Sequence, residues 1–231
     1  MCPPAEPASP ILCYVTDRRS LPLATSADAH RLLLDSIERA ASAGADWIQL
    51  REKDHTGRAW TGLVGASLER IARSGARTRL LVNDRLDVAL GCRAGGVHLS
   101  ENGIPVAEAC RLRDEFFRAP AERANFLVGV SCHSRGSALA AARAGADYLY
   151  FGPVFYTPSK ANYGPPQGLE ALAQVARAVA VPVLAIGGVT AENAPACFRA
   201  GASGVAAIRL FQEDPMLRAT LAALRSAVRP A

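Results

Sequence analysis

The sequence predicts an α/β fold, a (β/α)8 TIM barrel of eight parallel strands ringed by helices, and three observations lead there. Eight short apolar runs recur along the chain, each followed by a helical segment or a helical turn. The runs are apolar on both faces, as parallel strands covered on both sides must be. Ala-Gly closes a helix at 43–44, 94–95, 144–145 and 200–201, each time just before a strand, and the glycines lie 51, 50 and 56 residues apart. Each interval holds two βα units of ~25 residues, the unit size of a barrel of ~200–250 residues. Finally, no GxGxxG follows the first strand. A doubly wound open sheet, the rival architecture, would not need four evenly spaced copies of one helix stop.

The elements follow in order. Residues 1–10 are rich in proline and are expected to form a disordered arm; a single barrel domain is expected over 11–231. The first strand spans 11–16, and 17–25 is a loop. Ser26 caps a helix over 26–43, with apolar spacing at Leu33, Leu34, Ile37 and Ala40. Strands at 47–50, 79–82, 96–99 and 126–130 alternate with helices at 60–74, 86–92 and 106–117, with a loop over 119–125. A helix at 137–144 precedes the strand 148–151. A long connection, 152–168, then leads to a helix at 169–179. Strands at 183–186 and 204–208 are followed by helices at 191–200 and 214–228. The Ala-Gly glycines are expected to supply left-handed helix stops.

Composition narrows the function. The chain has 231 residues, half of them hydrophobic, so a large core is available. The net charge of +5 is spread over predicted helix faces, as at Arg70, Arg73, Arg77, Arg111, Arg113, Arg118 and Arg123, with no basic run or aromatic-interleaved patch. That argues against nucleic acid and suits small phosphorylated substrates. No apolar run approaches the ~20 residues of a membrane span. Residues 1–10 lack the apolar stretch of a signal peptide. Six cysteines without a CxxC pair fit reduced, packed thiols and a cytoplasmic location. Homo-oligomerisation stays open.

In a barrel the strand ends open on one face, where active sites sit. Reading those ends gives Gln49, Arg51 and Lys53; Asn83 and Asp84; His98 and Glu101; Ser131 and His133; Thr157, Ser159 and Lys160; then Gly187, Gly188 and the turn 206–209. Lys53 and Lys160 are the only lysines among 26 basic residues, and both follow predicted strands. A lysine is a compact point charge where arginine is a wide fork. The 152–168 loop that carries Lys160 exceeds the ~2–6 residues of an ordinary connection, as functional loops do. Gly187-Gly188 with the strand-8 turn is expected to cradle a phosphate through backbone N–H groups. Asp84 among Arg51, Lys53 and Lys160 suits a pyrophosphate carried with Mg²⁺; a surface ion-pair network is the other reading. His98, Cys132 and His133 lack zinc spacing within one element, so His133 reads as a hydrogen-bonding group or general base.

Together these motifs resemble a known family. Gln49-Leu-Arg-Glu-Lys53, Asn83-Asp-Arg85, Gly96-Val-His-Leu99, Gly129-Val-Ser-x-His133, Gly152-Pro-Val-Phe-x-Thr-x-Ser-Lys160 and Ala185-Ile-Gly-Gly188 run in the order found in thiamine phosphate synthases, a superfamily that includes thiazole tautomerases. The resemblance implies a transferase joining hydroxymethylpyrimidine diphosphate to thiazole phosphate. It implies Gln49, Arg51, Lys53, Asn83 and Lys160 on the pyrimidine diphosphate, with Ser131 assisting the pyrimidine end. Thr157, Ser159 and Gly188 would hold the thiazole phosphate, with Arg209 compensating at the strand-8 end. Mg²⁺ would sit on Asp84, with Glu101 as the nearby second carboxylate. Three positions depart from the family pattern. Gly103 stands where the family has a second metal-binding Asp, Tyr156 where it has Pro, and 206–209 reads Ala-Ala-Ile-Arg. The alternatives are a tautomerase with His133 as base, or a non-catalytic thiazole-phosphate binder.

Overall fold

The computed structural model describes residues 9–21, 26–52, 56–157 and 165–227. Most of the expected N-terminal arm, together with Lys53, Ser159 and Lys160, therefore lies outside the described residues. Eight strands form a closed parallel barrel in sequence order. They are β1 (Ile11–Val15), β2 (Trp47–Leu50), β3 (Arg79–Asn83), β4 (Gly96–Leu99), β5 (Leu127–Cys132), β6 (Tyr148–Phe151), β7 (Val183–Ile186) and β8 (Gly204–Ala207). β8 closes on β1 through the pairs Ile11–Gly204 to Tyr14–Ala207. The helices between them are α1 (Ser26–Ala43), α2 (Gly57–Arg73), α3 (Leu86–Gly91), α4 (Val106–Phe116), α5 (Pro120–Asn125), α6 (Arg135–Arg143), α7 (Gly168–Ala178), α8 (Ala194–Arg199), α9 (Arg209–Gln212) and α10 (Leu217–Ser226).

Helix starts account for most boundary differences. Residues 120–125, expected as loop, form α5, which opens on Pro120 at a first-turn position where no N–H is needed. α6 begins two residues earlier than expected because Ser134 and Ser137 cap it reciprocally. α8 begins three residues later, after Thr190 and Asn193 exchange hydrogen bonds in a turn. The last predicted helix, 214–228, begins three residues later as α10, after Pro215, and an additional short helix, α9, precedes it. The Ala-Gly stops hold at Gly44, Gly145 and Gly201, with φ of 101°, 97° and 95°. At the second repeat Arg93 takes the left-handed conformation instead, at φ 50°.

Two of these repeats also lock the barrel floor. Asp46 follows the first stop, and its Oδ2 accepts the Leu12 N–H at 2.8 Å and a bond from Arg225 at 2.9 Å. Asp147 follows the third, and its Oδ2 accepts the Val128 N–H at 2.7 Å and a bond from Arg113 at 3.0 Å. In each case one carboxylate ties a strand to its neighbour and to a distant helix through charge-assisted bonds.

The strand period of two sends alternate residues to the outer core and to the barrel interior. The outer layer is apolar, mostly aliphatic with aromatic residues such as Phe126, Phe151 and Phe211. The inner layer comprises Cys13, Val15, Leu81, Tyr148, Tyr150, Leu184 and Ala206, with Trp47 and Ile186 packed against it. Gly129, on the neighbouring strand, makes room for the Tyr148 ring, since a Cβ there would fall 2.0 Å from Tyr148 Cζ. Gly129→Ala should therefore cost at least the ~1–3 kcal/mol of an overpacked core. The readout is a lower urea midpoint at unchanged slope; an unchanged midpoint would mean that the ring moves aside freely.

Candidate active site

On β2, β3, β4 and β5 inward positions near the C-terminal strand ends are polar: Gln49, Asn83, His98 and Ser131. Gln49 on β2 donates from Nε2 to Asn83 Oδ1 on β3 at 2.6 Å. Asn83 Nδ2 passes the chain on to Asp84 Oδ2 at 2.8 Å. Asp84 Oδ1 accepts the Ser100 N–H at 2.6 Å, and the Asp84 N–H donates to the His98 carbonyl at 2.9 Å. The Asp84 backbone is left-handed, at φ 56°. Three strand ends are thus joined by one line of hydrogen bonds. Gln49 is buried, and its Oε1 has no partner among the described residues. An unpaired buried acceptor costs ~1–3 kcal/mol, a cost that a donor on a bound ring would remove.

Beneath this line, His98 lies in the barrel interior, 1 % exposed. Its Nε2 meets Ser131 Oγ at 2.9 Å and its Nδ1 meets Tyr148 OH at 3.0 Å. Its ring stacks on Tyr150 at 3.9 Å between centroids, and Tyr150 OH in turn meets Cys13 Sγ at 2.9 Å. Burial, aided by the nearby Arg51 charge, pushes the His98 pKa down to about 3. The imidazole is therefore neutral near pH 7, donating through one nitrogen and accepting through the other. Ser131, at the site end of this column, is anchored from below.

A second cluster ties β1 to β2. The Arg51 N–H donates to Thr16 Oγ1 at 2.9 Å, and Thr16 donates to Glu52 Oε1 at 2.9 Å. Arg18 Nη1 bonds Glu52 Oε2 at 2.9 Å. Glu52 is 3 % exposed, and burial raises its pKa against the pull of Thr16 and Arg18. Sequence reading missed this group. Its signal was Thr16-Asp17-Arg18, a polar stretch at the one strand end left out of the site.

Two expectations change. Gly187 and Gly188 are left-handed, at φ 91° and 67°, but the space beside them is taken by protein. A Cβ on Gly187 would lie 2.5 Å from Pro153 Cβ, and one on Gly188 would lie 2.5 Å from the Tyr156 carbonyl. The pair lets the chain after β6 pass close, where the Phe155 N–H donates to the Gly187 carbonyl at 3.0 Å. Glu101 aims Oε1 at the His133 N–H, 3.4 Å away on the β5 side. The position that faces Asp84 is Gly103, whose Cβ would lie 3.2 Å from Asp84 Oδ1. His133 engages the Gly152 carbonyl through Nδ1 at 2.5 Å. Arg209 is exposed at the start of α9, and its side chain makes no hydrogen bond or ion pair with a described residue. Thr157 lies at the edge of the described stretch, half-buried and next to Tyr156, which is 69 % exposed.

Asp84 offers hard oxygen donors. Each carboxylate oxygen has room for about two hydrogen-bond or metal partners, and each here has one partner among the described residues. Such a donor suits Mg²⁺, which is held through one or two carboxylates together with substrate phosphates.

The family model of thiamine monophosphate synthase matches residues 20–211. A thiamine-phosphate synthase of Roseiflexus castenholzii is 43 % identical over 198 residues, covering 86 % of this chain and 79 % of that protein. One of Chlorobium luteolum is 40 % identical over 203 residues, covering 88 % and 85 %. Among solved structures, a thiamine phosphate pyrophosphorylase of Pyrococcus furiosus superposes with a TM-score of 0.74 at 32 % identity, covering 94 % of this chain and 95 % of that one.

The neutral His98 gives a signed pH prediction. Its folded pKa is about 3 against an ordinary 6.5. Between those values the unfolded chain binds a proton that the folded one refuses, so stability falls as pH drops below about 6.5. The slope is up to ~1.4 kcal/mol per pH unit. Glu52 acts oppositely: its raised pKa favours the fold below the ordinary carboxylate value and loses that benefit as pH rises. The stability gap between wild type and His98→Gln, from urea unfolding, should therefore narrow from pH 7 to pH 4.5. A constant gap would mean that His98 titrates normally.

Proposed function

The chain belongs to the thiamine monophosphate synthase family, and on that premise we propose how its residues join hydroxymethylpyrimidine diphosphate to thiazole phosphate, giving thiamine phosphate and diphosphate. The observation that carries the assignment of roles is the hydrogen-bonded line Gln49–Asn83–Asp84, which ends in an orphaned acceptor inside the mouth. The pyrimidine ring sits over this line, and a ring donor satisfies Gln49 Oε1. Ser131, held by neutral His98, orients the other edge of the ring. Arg51, Lys53 and Lys160 take the diphosphate. Thr157 and Ser159 hold the thiazole phosphate, with Arg209 adding charge from the end of β8.

Bond breaking sends the electron pair to the leaving diphosphate oxygen and leaves a cation on the pyrimidine methylene. The thiazole nitrogen then attacks that carbon. The cationic side chains stabilise charge growing on the leaving oxygens, and rigid strand ends keep the rings in line. Asp84 would hold magnesium, which would supply further neutralisation of the diphosphate charge. The relatives named above are synthases or a pyrophosphorylase, and nothing in the site favours a tautomerase.

Purified protein given both substrates should form thiamine phosphate, and its absence would overturn the assignment. Lys160→Ala should lower turnover by ~10²–10³, the usual worth of one charge-stabilising donor; a change of only a few-fold would remove Lys160 from the diphosphate. Arg209→Ala should raise KM for thiazole phosphate more than for the diphosphate substrate. Equal effects on the two would make Arg209 structural.

A further inference from the structure

We infer that this protein offers a divalent cation a single carboxylate, Asp84, so that the cation is retained only together with a diphosphate that completes its shell. The inference rests on the metal role proposed above for Asp84 and concerns how this chain's turn after β4 limits it.

The turn spanning Ser100 to Gly103 faces Asp84. The Ser100 N–H holds Asp84 Oδ1 at 2.6 Å, and the Gly103 N–H closes the turn on the Ser100 carbonyl at 3.0 Å. The residue whose Cβ direction meets the carboxylate is 103, at 3.2 Å from Asp84 Oδ1. Gly103 is not left-handed, so its backbone does not require glycine. What the glycine does is leave the flank of Asp84 without a side chain. Glu101, the only other carboxylate in this turn, is directed to the β5 side, where its Oε1 takes the His133 N–H.

Asp84 without a cation is also well compensated. It has one N–H donor on each oxygen and no second carboxylate repelling it from position 103. Two adjacent carboxylates would disfavour each other's charge and gain much from a cation between them. A lone, hydrogen-bonded carboxylate gains little. Mg²⁺ keeps several waters and commonly completes its octahedron with substrate phosphate oxygens. Oxygens from the diphosphate supply here what position 103 does not.

Equilibrium dialysis with Mn²⁺ tests this without any turnover, because free Mn²⁺ and its diphosphate complex both cross the membrane. Wild-type protein should retain manganese with inorganic diphosphate present and bind it at least about 10-fold more weakly without. Gly103→Asp should bind Mn²⁺ without diphosphate at least about 10-fold more tightly than wild type, and Asp84→Asn should retain none in either condition. Should Gly103→Asp not fold, Glu101→Ala decides: its retention with diphosphate should equal that of wild type, and a loss would place Glu101 on the cation and overturn the inference. Equal wild-type retention with and without diphosphate would overturn it too, as would retention unaffected by Asp84→Asn. No retention in any condition would remove the cation from Asp84. Thiamine phosphate formation, assayed separately, decides the synthase reading independently.

Discussion

The closed barrel imposes one constraint on everything else: its interior must be filled, and every second strand residue must do the filling. Here the middle is filled by rings. Tyr148 and Tyr150 lie inward from the same strand, Gly129 yields the space Tyr148 occupies, and His98 stacks on Tyr150. Rings with polar edges bring hydroxyl and imidazole groups into a dry interior, where each must find a partner. The links Ser131–His98–Tyr148 and Tyr150–Cys13 are the result. A packing requirement has thereby produced a rigid, neutral support for a hydroxyl at the site.

The same period explains why the mouth is polar and the layer beneath it is not. Cys13 pairs in register with Trp47, and Val15 with Gln49; Leu81 pairs with Gly96, and Asn83 with His98. Moving two residues along β2 or β3 exchanges an apolar plug, Trp47 or Leu81, for a hydrogen-bonding group, Gln49 or Asn83. A one-residue slip would turn Gln49 and Asn83 into the apolar outer layer. The register that buries the core is therefore also the register that assembles the site, and the carboxylates of Asp46 and Asp147 on the barrel floor help to hold it.

Much of this was legible in the sequence because it is periodic or local. Short apolar runs, helix spacing and repeated stops identify eight βα units without long-range information. Strand ends point to Gln49, Asn83, Asp84 and Ser131 because a barrel gathers strand ends. What escaped is either distant or directional. Thr16, Arg18 and Glu52 meet across more than 30 residues, and nothing local in Glu52 reveals that it is buried rather than solvated. Gly187-Gly188 read as an anion cradle because glycine permits close approach, but sequence does not say what approaches; in the fold it is the chain at 153–156. Glu101 and Gly103 differ only in the direction of Cβ within a turn, and that direction is set by the Ser100 bonds rather than by residue type.

Charge is distributed across the site by the same logic. Glu52 is a carboxylate within the basic stretch after β2, yet it does not neutralise the binding face. Burial and the bonds from Thr16 and Arg18 turn it toward β1. Its charge is spent on Arg18, and the Thr16 hydroxyl that binds it also holds the Arg51 backbone. Glu101 is likewise drawn to a backbone N–H on the β5 side. Among the described residues near Asp84, then, Glu52 and Glu101 are engaged elsewhere. For a site that must accept two phosphorylated ligands at once, that separation of charge matters more than the net +5 of the chain. Focused positive potential raises the local concentration of an anion, whereas charge scattered over helix faces does not.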